Sequence, residues 1–210
     1  MGMFPVNNSS FDANNDSPNP PNNGVENVIT KLYSYEIDKI NKVVNIWMIG
    51  EIYYDVSEYG KLISLFLAAA EDYVVHFYIH SPGGAISTAC HLLSAMTSCK
   101  ATVITHNLGL AASCGSLILA FGNKIEIAPN AVTMFHASAT GNFDASHRVL
   151  TKTKHLIEYV NFMFELMHKR GLVSTEEVTG IVTKDEEYYF TSTEMNDRLK
   201  VAGILYEGGK

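Results

Sequence analysis

Ser113 lies in the run Gly109-Leu110-Ala111-Ala112-Ser113-Cys114-Gly115-Ser116, between a β-branched segment, Ala101 to Thr105, and an apolar one, Leu117 to Phe121. That order predicts a strand, a tight turn and a buried helix. A serine at such a corner has its hydroxyl pushed out of the chain path. The small neighbours Ala111, Ala112 and Gly115 let other backbone come close, as in the nucleophile elbow of hydrolases. The match to G-x-S-x-G is partial, because Ala111 stands at the first glycine position. On the octapeptide alone, the start of a small-residue helix packed on a sheet explains the pattern equally well.

A nucleophilic serine needs a general base, donors for the charge of the transition state and an orienting acid. Of the eight histidines, His136 is the best placed for the base, because it ends a strand-like run, Ala131 to Phe135, after the serine helix. Taken singly, each histidine is more often structural than catalytic. His76 and His80 alternate onto one strand face, and His147, His155 and His168 fall on one long helical stretch. None forms an H-E-x-x-H pair, so no metal site is suggested, and no other cofactor is implied. Gly83-Gly84, after a strand, offers backbone N–H groups with no Cβ in the way; a plain strand-to-helix turn would read the same. The acid should follow His136, and Asp185-Glu186-Glu187 is the only concentrated acidic candidate there, the bland alternative being a solvated turn.

The elements that must hold these residues alternate. Val43 to Ile49 reads as a buried strand stopped by Gly50, Ser57 to Ala70 as a helix packed on a sheet, and Val74 to Ile79 as a second strand. Ser81-Pro82-Gly83-Gly84 turns the chain into a helix over Ala85 to Met96, and a third strand over Ala101 to Thr105 leads to Ser113. Such alternation implies right-handed crossovers and a largely parallel α/β sheet. Short strands follow at Lys124 to Ile127 and Ala131 to Phe135. Asn142 to Arg170 is a long amphipathic helix ending at Gly171, and capped helix starts stand at Ser174 and Thr191. That long stretch carries more apolar residues, among them Leu150, Leu156, Ile157, Val160, Phe162, Met163, Phe164, Leu166 and Met167, than one small domain is expected to cover, which marks an interface.

Length and composition limit the rest. A chain of 210 residues with 47% apolar character can bury one full core. The expected organisation is a disordered tail over residues 1–25, holding four of the six prolines and seven asparagines, and a single domain over 26–210. A balance of 15 basic against 22 acidic residues, without a basic run, argues against binding nucleic acid or an anionic membrane. No apolar run approaches the roughly 20 residues needed to span a bilayer, and the N-terminus lacks the regions of a signal peptide, so a cytoplasmic protein is expected. Cys90, Cys99 and Cys114 include no C-x-x-C pair and suggest free thiols in a reducing compartment.

Taken together, Ser81-Pro82-Gly83-Gly84, Gly109-x-Ala111-Ala112-Ser113-x-Gly115, and Pro129-Asn130 followed by Met134-x-His136 resemble the proteolytic subunit of the ATP-dependent Clp protease, in order and spacing, over roughly residues 40 to 205. Glu51 and Ile52 after Ile49-Gly50 resemble the family's early strand-glycine signature. The resemblance implies a Clp/crotonase-like spiral of ββα units with a protruding handle helix over Asn142 to Arg170. It implies a serine endopeptidase in which Ser113 is nucleophile, His136 is base, and the N–H groups of Gly84 and Cys114 form the oxyanion hole. The implied assembly is a homo-oligomer of two stacked heptameric rings, a tetradecamer that cleaves polypeptides inside a closed chamber.

The sequence also departs from the family. Aligning Thr191-Ser192-Thr193-Glu194 with the family's segment after its catalytic aspartate puts Glu187 where that aspartate belongs, with Asp185 as the alternative acid two positions earlier. Ala137-Ser138 replaces the proline that usually follows the histidine, and Glu194 to Gly203 is longer than the family's corresponding step. The tail does not resemble the axial loops that meet the ATPase ring, so an ATP-dependent unfoldase partner is implied less directly than peptidase chemistry. Two other classes stay open: a catalytically silent ring subunit, suggested by Glu187, and a crotonase-like acyl-CoA enzyme, which would not need Ser113.

Overall fold

The computed structural model describes residues 24–137 and 146–208. Nearly all of the expected tail, residues 1–23, lies outside the described residues, as do residues 142–145 at the start of the expected handle and the side chains of Leu150, Leu156 and Ile157.

Three short strands open the sheet as an antiparallel meander: β1 (Val25–Ile29), β2 (Ser34–Asp38) and β3 (Val43–Ile49). A 3-10 turn, Val56–Tyr59, and helix α1 (Gly60–Ala68) carry the chain over to β4 (Val74–Ser81), parallel to β3. Helix α2 (Ile86–Thr97) then leads to β5 (Thr102–Ala112), parallel to β4. β3, β4 and α2 fall within one or two residues of the expected positions, the usual uncertainty of helix and strand ends, whereas β1 and β2 have no counterpart in the expected elements.

Differences from expectation have local causes. β3 is buried on one face only: Val44, Ile46 and Met48 are in the core, while Ile49 is 61% exposed. β4 alternates in the same way, with Val75, Phe77 and Ile79 inward and His76, Tyr78 and His80 on the other face. β5 is far longer than the expected run to Thr105, because it has two partners in succession on one edge. Its first half pairs with β6 (Lys124–Ile127) and its last residues with β7 (Val132–Phe135), both parallel. Asn107, fully buried, holds the fork: its Nδ2 donates to Val132 O at 2.9 Å and Thr133 Oγ1 at 3.1 Å, and its Oδ1 accepts from Gly109 N at 3.0 Å.

The eight-stranded sheet is parallel through its centre, at β3/β4, β4/β5, β5/β6 and β5/β7, as expected, and antiparallel towards its ends. Antiparallel joints occur at β1/β2, β2/β3 and between β7 and β8 (Tyr188–Thr191), the first two where connections are too short for a crossover. Helix α3 (Cys114–Ala120) is buried throughout and is tied to β5 by Thr105 Oγ1 donating to Leu119 O at 2.7 Å. Among the described residues no helix is long and apolar enough to cross a membrane.

Helix α4 (Ser146–Lys169) turns Val160, Met163, Phe164 and Met167 into the core, whereas Phe162 stays 53% exposed. These four residues serve the chain's own core, so the surplus is smaller than the residue count suggested. Helices α5 (Thr175–Lys184) and α6 (Ser192–Val201) both begin with the expected capping boxes, Ser174/Glu177 and Thr191/Glu194.

Glu177 has a second partner that fixes the frame around β8. Arg198 grips it with two bonds, Nη2 to Oε1 at 2.6 Å and Nη1 to Oε2 at 2.8 Å, donates to Leu172 O at 3.0 Å and lies over the Phe190 ring. Burial pushes the Glu177 carboxyl up, but the Arg198 and Ser174 hydrogen bonds outweigh it and hold the group below the ordinary carboxylate value. A depressed folded-state pKa contributes stability that is present above the unfolded value and lost as pH falls through the folded one. Arg198→Met should lower unfolding free energy by about 2–4 kcal/mol, since it strands a carboxylate whose side chain is only 13% exposed. It should also flatten the acid limb of stability below the ordinary carboxylate range. Urea titrations across pH test both, and an unchanged midpoint would refute them.

Candidate active site

β5 ends at Ala112 and α3 begins at Cys114, so the chain turns from strand to helix at Ser113 alone. Its backbone has φ 54 and ψ −126, a conformation that costs a non-glycine residue on the order of 1–3 kcal/mol. Hydrogen bonds on both sides hold it there. Ser113 N donates to Met134 O at 3.1 Å, and Ser113 O accepts from Ser116 N and Leu117 N at 3.1 Å and from Ser116 Oγ at 2.7 Å. Around it Ala111, Ala112, Cys114 and Gly115 are buried while Ser113 is half-buried.

The turn after β4 lies against this corner. Gly83 and Gly84 have φ 102 and 138, and neither position has room for a side chain: a Cβ would come 2.6 Å from Ser113 Cβ at the first and 2.3 Å from Ile52 O at the second. Ile52 N donates to Gly83 O at 2.8 Å and Ala85 N to Ile52 O at 2.9 Å, so the segment after Gly50 clamps the turn from the far side. Cys114 Sγ donates to Gly84 O at 3.2 Å, bringing residues 84 and 114 together beside the serine. The Cys114 N–H is at the first position of a helix, where backbone donors lack an intrahelical partner. Burial pushes the Cys114 thiol up to about 11, so it is not a thiolate at neutral pH.

His136 follows β7, whose Met134 is paired with Ala112. Its Nε2 is buried and has no hydrogen-bond partner among the described residues. Its Nδ1 is 3.9 Å from Glu187 Oε1, an ion-pair distance but longer than a hydrogen bond. β8 pairs with β7 at Phe135 and Tyr188, and one further step along that antiparallel register puts Glu187 opposite His136. Glu187 Oε2 accepts from Tyr189 Oη at 3.0 Å. Asp185 is elsewhere: it ends α5 in the left-handed conformation, φ 57 and ψ 37, and makes no ion pair with His136. The structure thus groups Ser113, Gly84 and Cys114 at one corner and His136 with Glu187 on the adjoining strands.

Sequence reasoning passed over two sets of residues. One is Tyr189, visible only once Glu187 and Tyr189 are known to share a strand face. The other is a chain on the sheet face away from the core, where His76 Nδ1 lies 2.9 Å from His106 Nε2 and His106 Nδ1 lies 2.7 Å from Glu126 Oε2. Burial pushes both imidazoles below the ordinary histidine value, and they stack on Tyr78 and meet Tyr206 edge-on. This arrangement is that of a satisfied structural network joining β4, β5 and β6.

A family model for Clp protease matches residues 30–198 of the chain. The ATP-dependent Clp protease proteolytic subunit 1 of Leifsonia xyli subsp. xyli is 28% identical over 187 residues, which cover 82% of this chain and 90% of that protein. Subunit 1 of Streptomyces coelicolor is 28% identical over 135 residues, covering 63% of this chain and 61% of its own. The chloroplastic subunit 3 of Arabidopsis thaliana is 36% identical over 114 residues, 51% of this chain and 37% of that protein.

Proposed function

The chain belongs to the Clp protease family, and on that premise we propose that it is a serine endopeptidase subunit that cleaves polypeptides through an acyl-enzyme. Ser113 Oγ attacks the scissile carbonyl carbon while His136 Nε2 takes its proton. The N–H groups of Gly84 and Cys114 receive the oxyanion. His136 returns the proton to the leaving amine, and water then releases the acyl group by the same steps, with Glu187 orienting the imidazole through Nδ1.

The observation that carries this reading is the strained backbone of Ser113, held beside two side-chain-intolerant glycines and bonded through its N–H to Met134 O, two residues before His136, whose buried Nε2 has no hydrogen-bond partner among the described residues. Strain of this kind persists only where the surroundings impose it, and it is concentrated at reactive sites. Fluorophosphonate treatment of the purified protein should modify Ser113, mapped by peptide mass. A protein that is folded and assembled yet unlabelled would instead be a silent ring subunit, a reading favoured by the 3.9 Å gap between His136 and Glu187. Turnover of an acyl-CoA thioester unaffected by Ser113→Ala would point to crotonase-like chemistry.

The same premise supports two stacked heptameric rings of this subunit, joined through α4 as a handle, with the spiral ββα topology of the family and an ATP-dependent unfoldase ring as partner. Exposed Phe162 on α4 is consistent with such an interface. Light scattering at micromolar concentration should give a mass many times that of one chain; a well-folded monomer would remove the ring and the chamber together.

A further inference from the structure

We propose that Tyr189 is a positioning residue for the reaction, holding Glu187 on His136 through its phenol hydroxyl. The inference rests on the catalytic reading of Ser113, His136 and Glu187 given above.

Glu187 has one methylene more than an aspartate and its side chain is 53% exposed, so nothing in its immediate packing selects one rotamer. One carboxylate oxygen, Oε1, faces His136 Nδ1 at 3.9 Å, and the other, Oε2, accepts the Tyr189 hydroxyl at 3.0 Å. Glu187 immediately precedes β8 and Tyr189 is its second residue, so the two are i and i+2 along one extended segment and their side chains emerge on the same face. β8 is fixed to β7 through the pairs Met134/Tyr189 and Phe135/Tyr188, which anchors the tyrosine backbone one step from the histidine strand. A carboxylate held at one oxygen by a donor on a rigid strand keeps its other oxygen aimed. This is the role that outer hydrogen bonds play for metal-bound and catalytic groups generally.

The neighbouring residues repeat the device on the opposite face, where Tyr188 Oη donates to Glu186 Oε2 at 2.5 Å. There the pair packs against Gly180 of α5, where an added Cβ would overlap both groups, and it serves the fold. The Tyr189/Glu187 pair instead faces the imidazole. Its hydrogen bond to the carboxylate raises the Tyr189 pKa, so the phenol stays a donor across the range in which histidine titrates.

The test uses the full-length assembled protein, with peptide turnover and the rate of Ser113 labelling by a fluorophosphonate as readouts. Tyr189→Phe should lower kcat and the labelling rate by about three- to tenfold, the size of one exposed hydrogen bond to a charged group, with KM within about twofold. The acid limb of kcat/KM should move to lower pH, because a carboxylate free to swing away stabilises the imidazolium less. In a Glu187→Ala background, where there is no carboxylate to hold, Tyr189→Phe should change the labelling rate no further. An unchanged rate and acid limb in Tyr189→Phe, or the same loss in both backgrounds, would overturn the role while leaving the catalytic reading intact. Absence of labelling at Ser113 in the unmodified protein would overturn that reading and this proposal with it.

Discussion

Ser113→Ala is expected to lower peptide turnover by on the order of a millionfold, His136→Ala by a similar amount, and the double variant by no more than either alone. On the proposed mechanism no acyl-enzyme forms without Oγ, and without the imidazole the hydroxyl keeps its proton. Members of one proton-transfer unit therefore fail together. What remains is the contribution of the oxyanion donors and of binding, on the order of a thousandfold over water. The rival nucleophile is adjacent, but Cys114 is 3% exposed, bonded through Sγ to Gly84 O, and kept as a thiol by burial. Cys114→Ala should accordingly keep most turnover. Assembly must be checked in each variant, because the Ser113 corner also ties β5, β7 and α3 together. A peptidase that survives Ser113→Ala and is lost on Cys114→Ala would reverse the assignment.

The parts of this site that were legible in the sequence are those written in short, strongly constrained stretches. Ser113 between a strand and a helix, the Gly83-Gly84 turn and the two capping boxes each follow from local backbone requirements, and local requirements leave a local signature. What could not be read depends on pairing between distant segments. β5 continues past Thr105 only because β7 arrives beside it, and the buried Asn107 that manages the change of partner looks in the sequence like a strand breaker. β1 and β2 carry charged residues among the apolar ones, Val25-Glu26-Asn27-Val28-Ile29 and Ser34-Tyr35-Glu36-Ile37-Asp38, so their alternation is weak and only mutual pairing makes them strands. The His76, His106 and Glu126 chain joins three strands whose residues span fifty positions, and no window along the chain contains it. Tyr189 was hidden for a different reason: its neighbour Tyr188 is identical in type, and only the register of β8 against β7 decides which of the two faces His136.

The same register bears on the acid of the proposed triad, for which Glu187→Gln is expected to cost on the order of a thousandfold in turnover and Asp185→Asn almost nothing. Imidazole must carry its proton on Nδ1 for Nε2 to accept from serine, and a carboxylate facing Nδ1 selects that tautomer and stabilises the imidazolium that follows. An amide at the same place presents an N–H as readily as an oxygen and so permits the wrong tautomer, which is why a nearly isosteric change has so large an effect. Glu187 Oε1 needs to approach by about 1 Å from its present 3.9 Å to reach hydrogen-bond range, a movement within the reach of a side chain with three rotatable bonds. Asp185 would need far more. Its backbone is committed to closing α5, with its N–H donating to Gly180 O, and a residue two positions along an extended segment is displaced by about 6–7 Å. Both variants should be assayed in particles shown to be assembled, with Ser113 labelling measured alongside turnover. Loss of turnover in Asp185→Asn with Glu187→Gln intact would mean that the segment before β8 is rebuilt when substrate binds. If neither substitution mattered while Ser113 still labelled, the site would operate as a Ser113–His136 dyad, and the 3.9 Å separation would be its working geometry rather than a resting one.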